Sequence, residues 1–236
     1  MEEPFYIVIS HKNKTIVGIR GTITVDDCKL DLDAASSCVE INGETFYFHR
    51  GFYKLASALV DQIINKQLVS NLVLTGLSMG AAVASIATVL LNKRGVQCTA
   101  FVFAQPPCMS ENLIDYSKQF ITHVCISNDH IIRCSQLAVR VMIRRLAQIK
   151  MNTSNLLKTD VDFKNAFTKD IISFEQRYDD LYCAGVQYMF VNQNFYSINY
   201  QEIAEFIISP CQMTDHIAGK GIINFCNQMM HQTHNQ

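Results

Sequence analysis

The sequence lacks the features that mark a metal site or a nucleic-acid-binding protein. It contains no C-x-x-C and no H-E-x-x-H spacing, so neither a metal ion nor another cofactor is predicted. Its 20 basic and 21 acidic residues give a formal net charge of -1, which provides no general attraction for nucleic acid. No internal repeat and no low-complexity linker is found. The 236 residues therefore fit one large α/β domain, 1–236.

Signals for export are also missing from the sequence. The first five residues lack the basic region and the apolar region of a signal peptide. The nine cysteines are odd in number, show no paired spacing and lie among apolar neighbours, as Cys98 and Cys125 do. Reduced thiols in a protein core explain them better than disulfides. We therefore expect a cytoplasmic protein, with peripheral contact to membranes as an open alternative.

One stretch lacks charge altogether, since no charged residue lies between Lys66 and Lys93. A transmembrane helix is one interpretation of such a stretch. However, it opens with a β-favouring run at 72–75 and contains two glycines, which would make a poor single helix. A buried strand followed by an Ala-rich buried helix at 79–91 is the better interpretation.

Between this strand and this helix stands Gly76-Leu77-Ser78-Met79-Gly80, the G-x-S-x-G pattern of a nucleophile elbow. A strand that turns directly into a helix crowds its backbone, and glycines on either side of the serine relieve the crowding. Ser78 is left at the apex with the helix N-terminus behind it. Ser78 is therefore the predicted nucleophile.

Strand and helix patterns alternate along the rest of the chain. They predict a hairpin from 5–10 and 15–19, an irregular loop at 24–40, a short strand running into a turn at 46–52, a helix at 53–67, a strand at 98–103, a helix at 111–118 and a strand at 121–127. This alternation is typical of a mostly parallel central sheet with helices on both faces.

A serine hydroxyl becomes a good nucleophile when a histidine takes its proton and a carboxylate orients that histidine. In chains with such an elbow the order is serine, then acid, then histidine. Asp129 follows the predicted strand at 121–127, at the carboxyl end where catalytic groups gather in parallel sheets. A turn-capping aspartate is the alternative interpretation of Asp129.

Of the seven histidines, His216 is the best candidate for the base. The others lie in the hairpin, in or beside strands, next to Asp129 or near the end of the chain, and they are His11, His49, His123, His130, His231 and His234. A histidine in a surface loop is the alternative interpretation of His216.

Six segments of the sequence resemble a known protein family. These segments are Ile16-Val-Gly-Ile-Arg-Gly-Thr22, Phe48-His-Arg-Gly-Phe52, Leu74-Thr-Gly-Leu-Ser-Met-Gly-Ala81, Phe101-Val-Phe-Ala-Gln-Pro106, Ile126-Ser-Asn-Asp-His-Ile131 and Ile207-Ile-Ser-Pro-Cys-Gln-Met-Thr-Asp-His216. They resemble the class 3 lipases, the α/β-hydrolase group that includes fungal triacylglycerol lipases and diacylglycerol lipases. The last segment, with Ser-Pro shortly before Asp-His, is especially similar to the diacylglycerol lipase branch.

The resemblance implies an α/β-hydrolase fold and a carboxylic ester hydrolase that cleaves mono-, di- or triacylglycerol-type lipids through an acyl-enzyme. Ser78 would be the nucleophile, Asp129 the orienting acid and His216 the base. The backbone N–H groups of Thr22 and Met79 would form the oxyanion hole. Met79 also follows from the elbow itself, since the amide after the serine points into the site, whereas Thr22 rests on the resemblance.

The sequence departs from the family pattern around the site. The family usually has His before the elbow serine and Leu after it, where this chain has Leu77 and Met79. Fungal relatives carry an apolar lid helix where this chain has the acidic stretch 26–33. A long insertion at about 135–196 is a candidate cap instead. These departures put the predicted identity of the substrate in question, and not the predicted ester hydrolysis.

Two other functions remain open: a catalytically silent lipase-like scaffold that binds lipid or protein partners, and a soluble short-chain carboxylesterase. The complete set of serine, aspartate, histidine and oxyanion positions argues against a scaffold. Head group, acyl-chain length and oligomeric state are not predicted.

A basic stretch suggests a contact with membranes. Residues 131–159 carry six Lys or Arg and no acidic residue. Apolar positions in this stretch, from Val139 to Ile149, fall on one helical face, with Arg140 and Arg144 opposite. We expect Arg140, Arg144 and Arg145 to contact anionic lipid. A helix that packs on the sheet and keeps a solvated basic face is the alternative.

Overall fold

A computed structural model describes residues 4–22, 35–126, 129–135, 180–191 and 194–199, together with His216. The strands in these residues are β1 (Tyr6–His11), β2 (Lys14–Ile19), β3 (Ser36–Ile41), β4 (Glu44–His49), β5 (Leu72–Leu77), β6 (Cys98–Phe103), β7 (Ile121–Ile126), β8 (Val186–Val191) and β9 (Asn194–Ile198). The α-helices in them are α1 (Arg50–Asn65), α2 (Met79–Lys93) and α3 (Ile114–Ser117). Two 3-10 turns lie at Glu111–Leu113 and Ile131–Arg133.

The central sheet of the described residues has the order β1-β2-β5-β6-β7-β8-β9. The five strands from β2 to β8 pair in parallel, and β1 and β9 pair antiparallel to their neighbours at the two edges. The sheet is thus mostly parallel, as the alternation of strands and helices predicts. Parallel pairing brings the carboxyl ends of β5, β6 and β7 to one edge of the sheet, where the candidate site lies.

Helix α2 is the centre of the hydrophobic core. Its residues from Met79 to Leu91 are all buried, and it packs on β5 and β6 with α1 beside it. In β6 the residues on the α2 side are buried, as Cys98 is, whereas Thr99 and Phe101 between them are exposed. Within the described ranges α2 thus covers one face of the sheet, and α1 packs against α2. Helices on the second face remain a prediction.

Two hairpins show why the local sequence turns where it does. The turn between β1 and β2 has positive φ at Lys12 and Asn13, and the turn between β3 and β4 has positive φ at Asn42 and Gly43. Positive φ at both central residues is the type I′ arrangement that matches the twist of paired strands. The first hairpin confirms the prediction. The loop predicted at 24–40 is wrong in its last residues, because they pair with β4 as strand β3; residues 23–34 lie outside the described ranges.

Two further predicted boundaries are corrected by the structure. The turn predicted after the strand near 46–52 is the first turn of α1, because the His49 side chain accepts a hydrogen bond from the Phe52 amide and caps the helix. The candidate cap at about 135–196 extends too far, because β8 and β9 belong to the central sheet. Residues 136–179 of that insertion lie outside the described ranges.

The strands predicted at 98–103 and 121–127, and the strand and helix that flank Ser78, are confirmed. The described α-helices are all too short or too polar to span a lipid bilayer. The uncharged stretch between Lys66 and Lys93 instead forms β5, the elbow and α2.

Candidate active site

Ser78 alone connects the last residue of β5 with the first residue of α2. Its backbone has φ 57° and ψ −125°, a conformation that a non-glycine residue rarely adopts. Hydrogen bonds hold it there: the Ser78 amide donates to the Phe103 carbonyl (3.1 Å), and the Ser78 carbonyl accepts from the Ala81 amide (2.9 Å). The serine is thus fixed at a sharp strand-to-helix turn, with the positive end of the α2 dipole at its side chain.

The glycines of the elbow allow two backbones to approach each other closely. A Cβ atom on Gly76 would overlap the carbonyl group of Gly80 and lie 2.8 Å from the Ala81 amide nitrogen. A Cβ atom on Gly80 would overlap the Ile19 carbonyl at the end of β2. Gly76 and Gly80 therefore let α2 pack directly against the ends of β5 and β2.

A continuous chain of hydrogen bonds joins three side chains that are far apart in the sequence. His216 Nε2 lies 3.0 Å from Ser78 Oγ, and His216 Nδ1 lies 2.9 Å from Asp129 Oδ2. Asp129 is fully buried just after β7, and its second oxygen accepts the Ile131 amide at 2.8 Å. The structure therefore brings together the three residues that the sequence selected.

The contacts fit one arrangement of hydrogens. A carboxylate can only accept, so the His216 ring nitrogen that faces Asp129 is assigned the hydrogen and donates it. His216 Nε2 is then an acceptor, and the Ser78 hydroxyl donates to it. The arrangement matches serine, histidine and aspartate in the serine hydrolases, in which the histidine withdraws the proton from the nucleophile.

Cysteine thiols surround the buried carboxylate. Burial, together with the charge of Asp129, raises the pKa of Cys134 to about 11. Burial also raises the pKa of Cys125 and of Cys183, and Asp129 adds to both effects. Because a thiol reacts as its thiolate, these neutral side chains are poor nucleophiles and leave Ser78 without a competitor among them.

Arg133 is a buried charge near this cluster, with a relative exposure of 6%. Burial lowers the pKa of its guanidinium, while the nearby groups Cys125 and Asp129 act in the opposite direction. Arg133 is one of the six basic residues counted in 131–159, and no separate role was predicted for it. Because arginine is mostly exposed in proteins, its burial could not be expected from the sequence.

The predicted oxyanion positions lie on the two segments that meet at the elbow. Met79 is the first residue of α2 and is buried. Ile19 of β2 stands opposite Gly76, and the following residues run beside the elbow, so that a Cβ atom on Gly21 would lie 2.9 Å from the Leu77 carbonyl oxygen. Thr22, half-buried, comes next in the chain.

The other described histidines have identifiable structural positions. His123 is fully buried, its Nε2 accepts the Gln105 amide at 2.9 Å, and burial lowers its pKa to about 3, so it is neutral. His49 caps α1, and His11 is exposed at the end of β1. His130 is different, because its ring packs edge-to-face against the ring of His216 with 5.6 Å between centroids. Arg140, Arg144 and Arg145 lie outside the described residues.

Comparison with known proteins identifies the class. The profile of the family described as Lipase (class 3) matches residues 16–138, just over half of the chain. The chain therefore belongs to the class 3 lipase family. Diacylglycerol lipase-beta of Mus musculus is 29% identical over 164 residues, which cover 64% of this chain and 24% of that protein. Diacylglycerol lipase-alpha of Homo sapiens is 28% identical over 166 residues, which cover 63% of this chain and 16% of that protein.

The chain thus matches about a quarter or less of the length of these relatives. Among solved structures, a triacylglycerol lipase from Penicillium expansum has a TM-score of 0.55 at 17% identity and covers 91% of this chain and 77% of its own. Lipase II from Rhizopus niveus has a TM-score of 0.53 at 16% identity and covers 86% of this chain and 69% of its own. These similarities confirm the α/β-hydrolase fold.

Proposed function

We propose that this protein is a serine hydrolase that cleaves carboxylic esters of lipids through an acyl-enzyme on Ser78. The observation that carries the proposal is the hydrogen-bonded chain from Asp129 through His216 to Ser78, with Ser78 held at a strained elbow. Membership of the class 3 lipase family supports the same chemistry.

In the first half of the proposed reaction, His216 Nε2 takes the proton of Ser78 Oγ as the oxygen attacks the ester carbonyl carbon. The carbonyl oxygen becomes an oxyanion, which the amides of Met79 and Thr22 stabilise. Asp129 holds the Nδ1 hydrogen and stabilises the imidazolium that forms. The intermediate collapses when His216 gives its proton to the departing alcohol, and the acyl group remains on Ser78.

In the second half, His216 takes a proton from water, and the hydroxide attacks the acyl carbonyl. The new intermediate collapses when His216 returns the proton to Ser78 Oγ and the carboxylic acid leaves. The balance is one ester and one water consumed for one alcohol and one acid. No cofactor takes part in these steps.

Acylglycerols are the proposed substrates. Two relatives are named diacylglycerol lipases and one structural neighbour is named a triacylglycerol lipase, so a mono-, di- or triacylglycerol is the substrate class that they suggest. Leu77 and Met79, which replace the residues usual in the family, flank the nucleophile in the sequence. We propose that they influence which acylglycerol is accepted.

A fluorophosphonate probe tests the proposal directly. The parent protein should be labelled on Ser78, and Ser78→Ala protein should not. Full labelling of Ser78→Ala would contradict the assignment. Hydrolysis is then followed on acylglycerols, phospholipids and short-chain esters. A catalytically silent scaffold would not be labelled by the probe and would hydrolyse none of the esters. A soluble esterase would be labelled but would cleave the short-chain esters alone.

We also propose that the protein contacts anionic membranes from a reducing, cytoplasmic environment. The described cysteines Cys38, Cys98, Cys108, Cys125, Cys134 and Cys183 are all free thiols, which supports a reducing compartment. The membrane contact rests on the sequence around Arg140, Arg144 and Arg145. Because Arg133 is buried, the basic surface that we propose begins after it.

A further inference from the structure

The ring of His130 stands against the ring of the proposed base. The two centroids are 5.6 Å apart and the planes meet at 69°, which is the edge-to-face arrangement that aromatic rings prefer. His130 directly follows Asp129 in the chain. Sequence order excludes it as the third member of the triad, yet the fold places it beside that member.

The hydrogen bonds of His216 act on the two nitrogens of its ring. Asp129 binds Nδ1 at 2.9 Å and Ser78 meets Nε2 at 3.0 Å. These two bonds hold the nitrogens, whereas the carbon side of the ring is held by packing. The edge-to-face contact with the His130 ring is a packing contact of this kind, and it restrains the orientation of the His216 ring in addition to the two bonds.

His130 is itself held by the turn that holds the acid. The Asp129 Oδ1 atom accepts the Ile131 amide at 2.8 Å, and the His130 carbonyl accepts the Arg133 amide at 3.0 Å. The same carbonyl also accepts the Cys134 thiol at 3.2 Å. One 3-10 turn therefore holds both the carboxylate and the backbone of the residue that carries the neighbouring ring, so that both residues are placed near His216 by the same turn.

We propose that His130 is a positioning residue, whose ring holds the plane of His216 while Nε2 changes partner from Ser78 to the departing alcohol and then to water. The inference rests on the proposed function, because that function gives His216 its role. A loosened ring would still bind substrate but would less often point Nε2 at the oxygen. The loss should therefore fall on kcat and leave KM unchanged.

The test compares His130→Ala, which removes the ring, with His130→Phe, which keeps an aromatic face without ring nitrogens. His11→Ala, at the exposed end of β1 away from the elbow, is the matched control. Rates on a soluble short-chain ester are divided by the number of sites that the fluorophosphonate probe labels, so that misfolded protein does not count. His130→Ala should lower kcat about 3- to 10-fold. This range is the rate change that corresponds to the free energy of one aromatic pair. His130→Phe should stay within about 2-fold of the parent, and His11→Ala should equal it.

A second readout does not depend on turnover. The hydrogen on His216 Nδ1 gives a downfield proton NMR signal that is assigned by its loss in His216→Ala. This signal should broaden in His130→Ala and persist in His130→Phe, whether or not the protein hydrolyses esters. A parent that cleaves no ester and takes no probe contradicts the proposed function, and the NMR signal then decides on His130 separately.

Three results would overturn the inference. His130→Ala with the kcat and NMR signal of the parent would show that the ring restrains nothing. His130→Phe as impaired as His130→Ala would assign the role to the imidazole nitrogens instead of the aromatic face. A change confined to KM would make His130 a residue that binds substrate.

Discussion

Gly76 and Gly80 touch backbone to backbone, so that a single methyl group on Gly76 would occupy the space of the Gly80 carbonyl. This contact is the physical reason for the G-x-S-x-G pattern in this chain. It allows α2 to begin immediately after β5, and it places the Ser78 side chain at the apex of the turn.

Replacing Gly76 with Ala should therefore separate α2 from β5. The backbone groups that the new methyl would meet cannot move aside as a flexible side chain does, so we expect a loss of about 3 kcal/mol or more in the free energy of unfolding. Denaturant unfolding measures this loss. Probe labelling of Ser78 should fall as well, because the elbow carries the nucleophile.

Gly18→Ala is the matched control for this prediction. A Cβ atom at Gly18 would lie 3.3 Å from Cγ1 of Ile7, whose side chain is 63% exposed on the edge strand and has room to move. Its cost should stay below about 1 kcal/mol. Equal stability of the two variants would show that the Gly76 contact does not constrain the elbow.

The sequence predicted the site best where the functional residues are close together in the chain. The elbow is local, so strand, Ser78 and helix were read from one stretch of about twenty residues. Asp129 was found because it follows a predicted parallel strand, and catalytic groups gather at the carboxyl ends of such strands. Thr22 could be named by resemblance alone, because its place beside the elbow comes from the pairing of β2 with β5.

Features fixed by tertiary contacts were missed for physical reasons. Strand β3 begins with Ser36-Ser37-Cys38 and reads as a loop, although Asn42-Gly43 was a hairpin signal that could have revealed it. Strand β8 was assigned to a cap because it joins β7 only after a long insertion. The contact of His130 with His216 joins two residues that are far apart in the sequence, which no local pattern encodes.

Asp129→Asn should abolish most of the activity without unfolding the protein. The amide has nearly the shape of the carboxylate, but it can donate to Nδ1 and so favours the wrong tautomer of His216. We expect kcat on a soluble ester to fall by about 10⁴-fold, with active sites counted by probe titration. Combining Asp129→Asn with Ser78→Ala should add little to the loss of Ser78 alone, because the three residues act as a unit.

Asp61→Asn provides the carboxylate control. Asp61 lies on the surface of α1 and pairs with Arg94 at 3.3 Å, with both side chains exposed. Its replacement should leave kcat within about 2-fold of the parent, because Asp61 is not part of the proposed triad. The fold should also be kept, because exposed ion pairs contribute little to stability. Full activity in Asp129→Asn would remove Asp129 from the mechanism.

His123 predicts how stability depends on pH. Burial lowers its pKa in the folded protein to about 3, whereas an unfolded histidine has a pKa of about 6.5. Between these values the unfolded chain binds the proton and the folded chain does not, so stability is full above about pH 6.5 and decreases as the pH falls. From pH 7 to pH 5 this group should cost about 2 kcal/mol in the free energy of unfolding.

The measurement is denaturant unfolding at pH 7 and at pH 5 for the parent and for His123→Gln. The variant loses the titrating group, so its stability should change less between the two pH values, by about 2 kcal/mol. His11→Gln, in the exposed hairpin, should keep the pH dependence of the parent. The same dependence in His123→Gln and in the parent would assign the effect to other groups.

Docking on anionic membranes predicts a salt-sensitive affinity that depends on Arg140, Arg144 and Arg145. Each basic residue near an anionic surface contributes about 1 kcal/mol, so changing all three to Gln should weaken binding to phosphatidylserine vesicles by roughly 100-fold at low salt. Raising the salt concentration should reduce the difference, because screening acts on the parent as well. Vesicle co-sedimentation measures both effects.

A second triple variant separates local docking from the loss of net charge. Lys12, Lys14 and Arg94 are exposed basic residues on the described surface, and changing them to Gln removes the same charge elsewhere. This control should bind vesicles nearly as well as the parent, and both triple variants should hydrolyse a soluble short-chain ester at the parental rate, because the proposed triad is untouched. An equal loss of vesicle binding in the two triple variants would show that overall charge, and not a surface formed by Arg140, Arg144 and Arg145, attracts the lipid. Parental binding by the arginine variant at low salt would leave that basic stretch with a purely structural role in the fold.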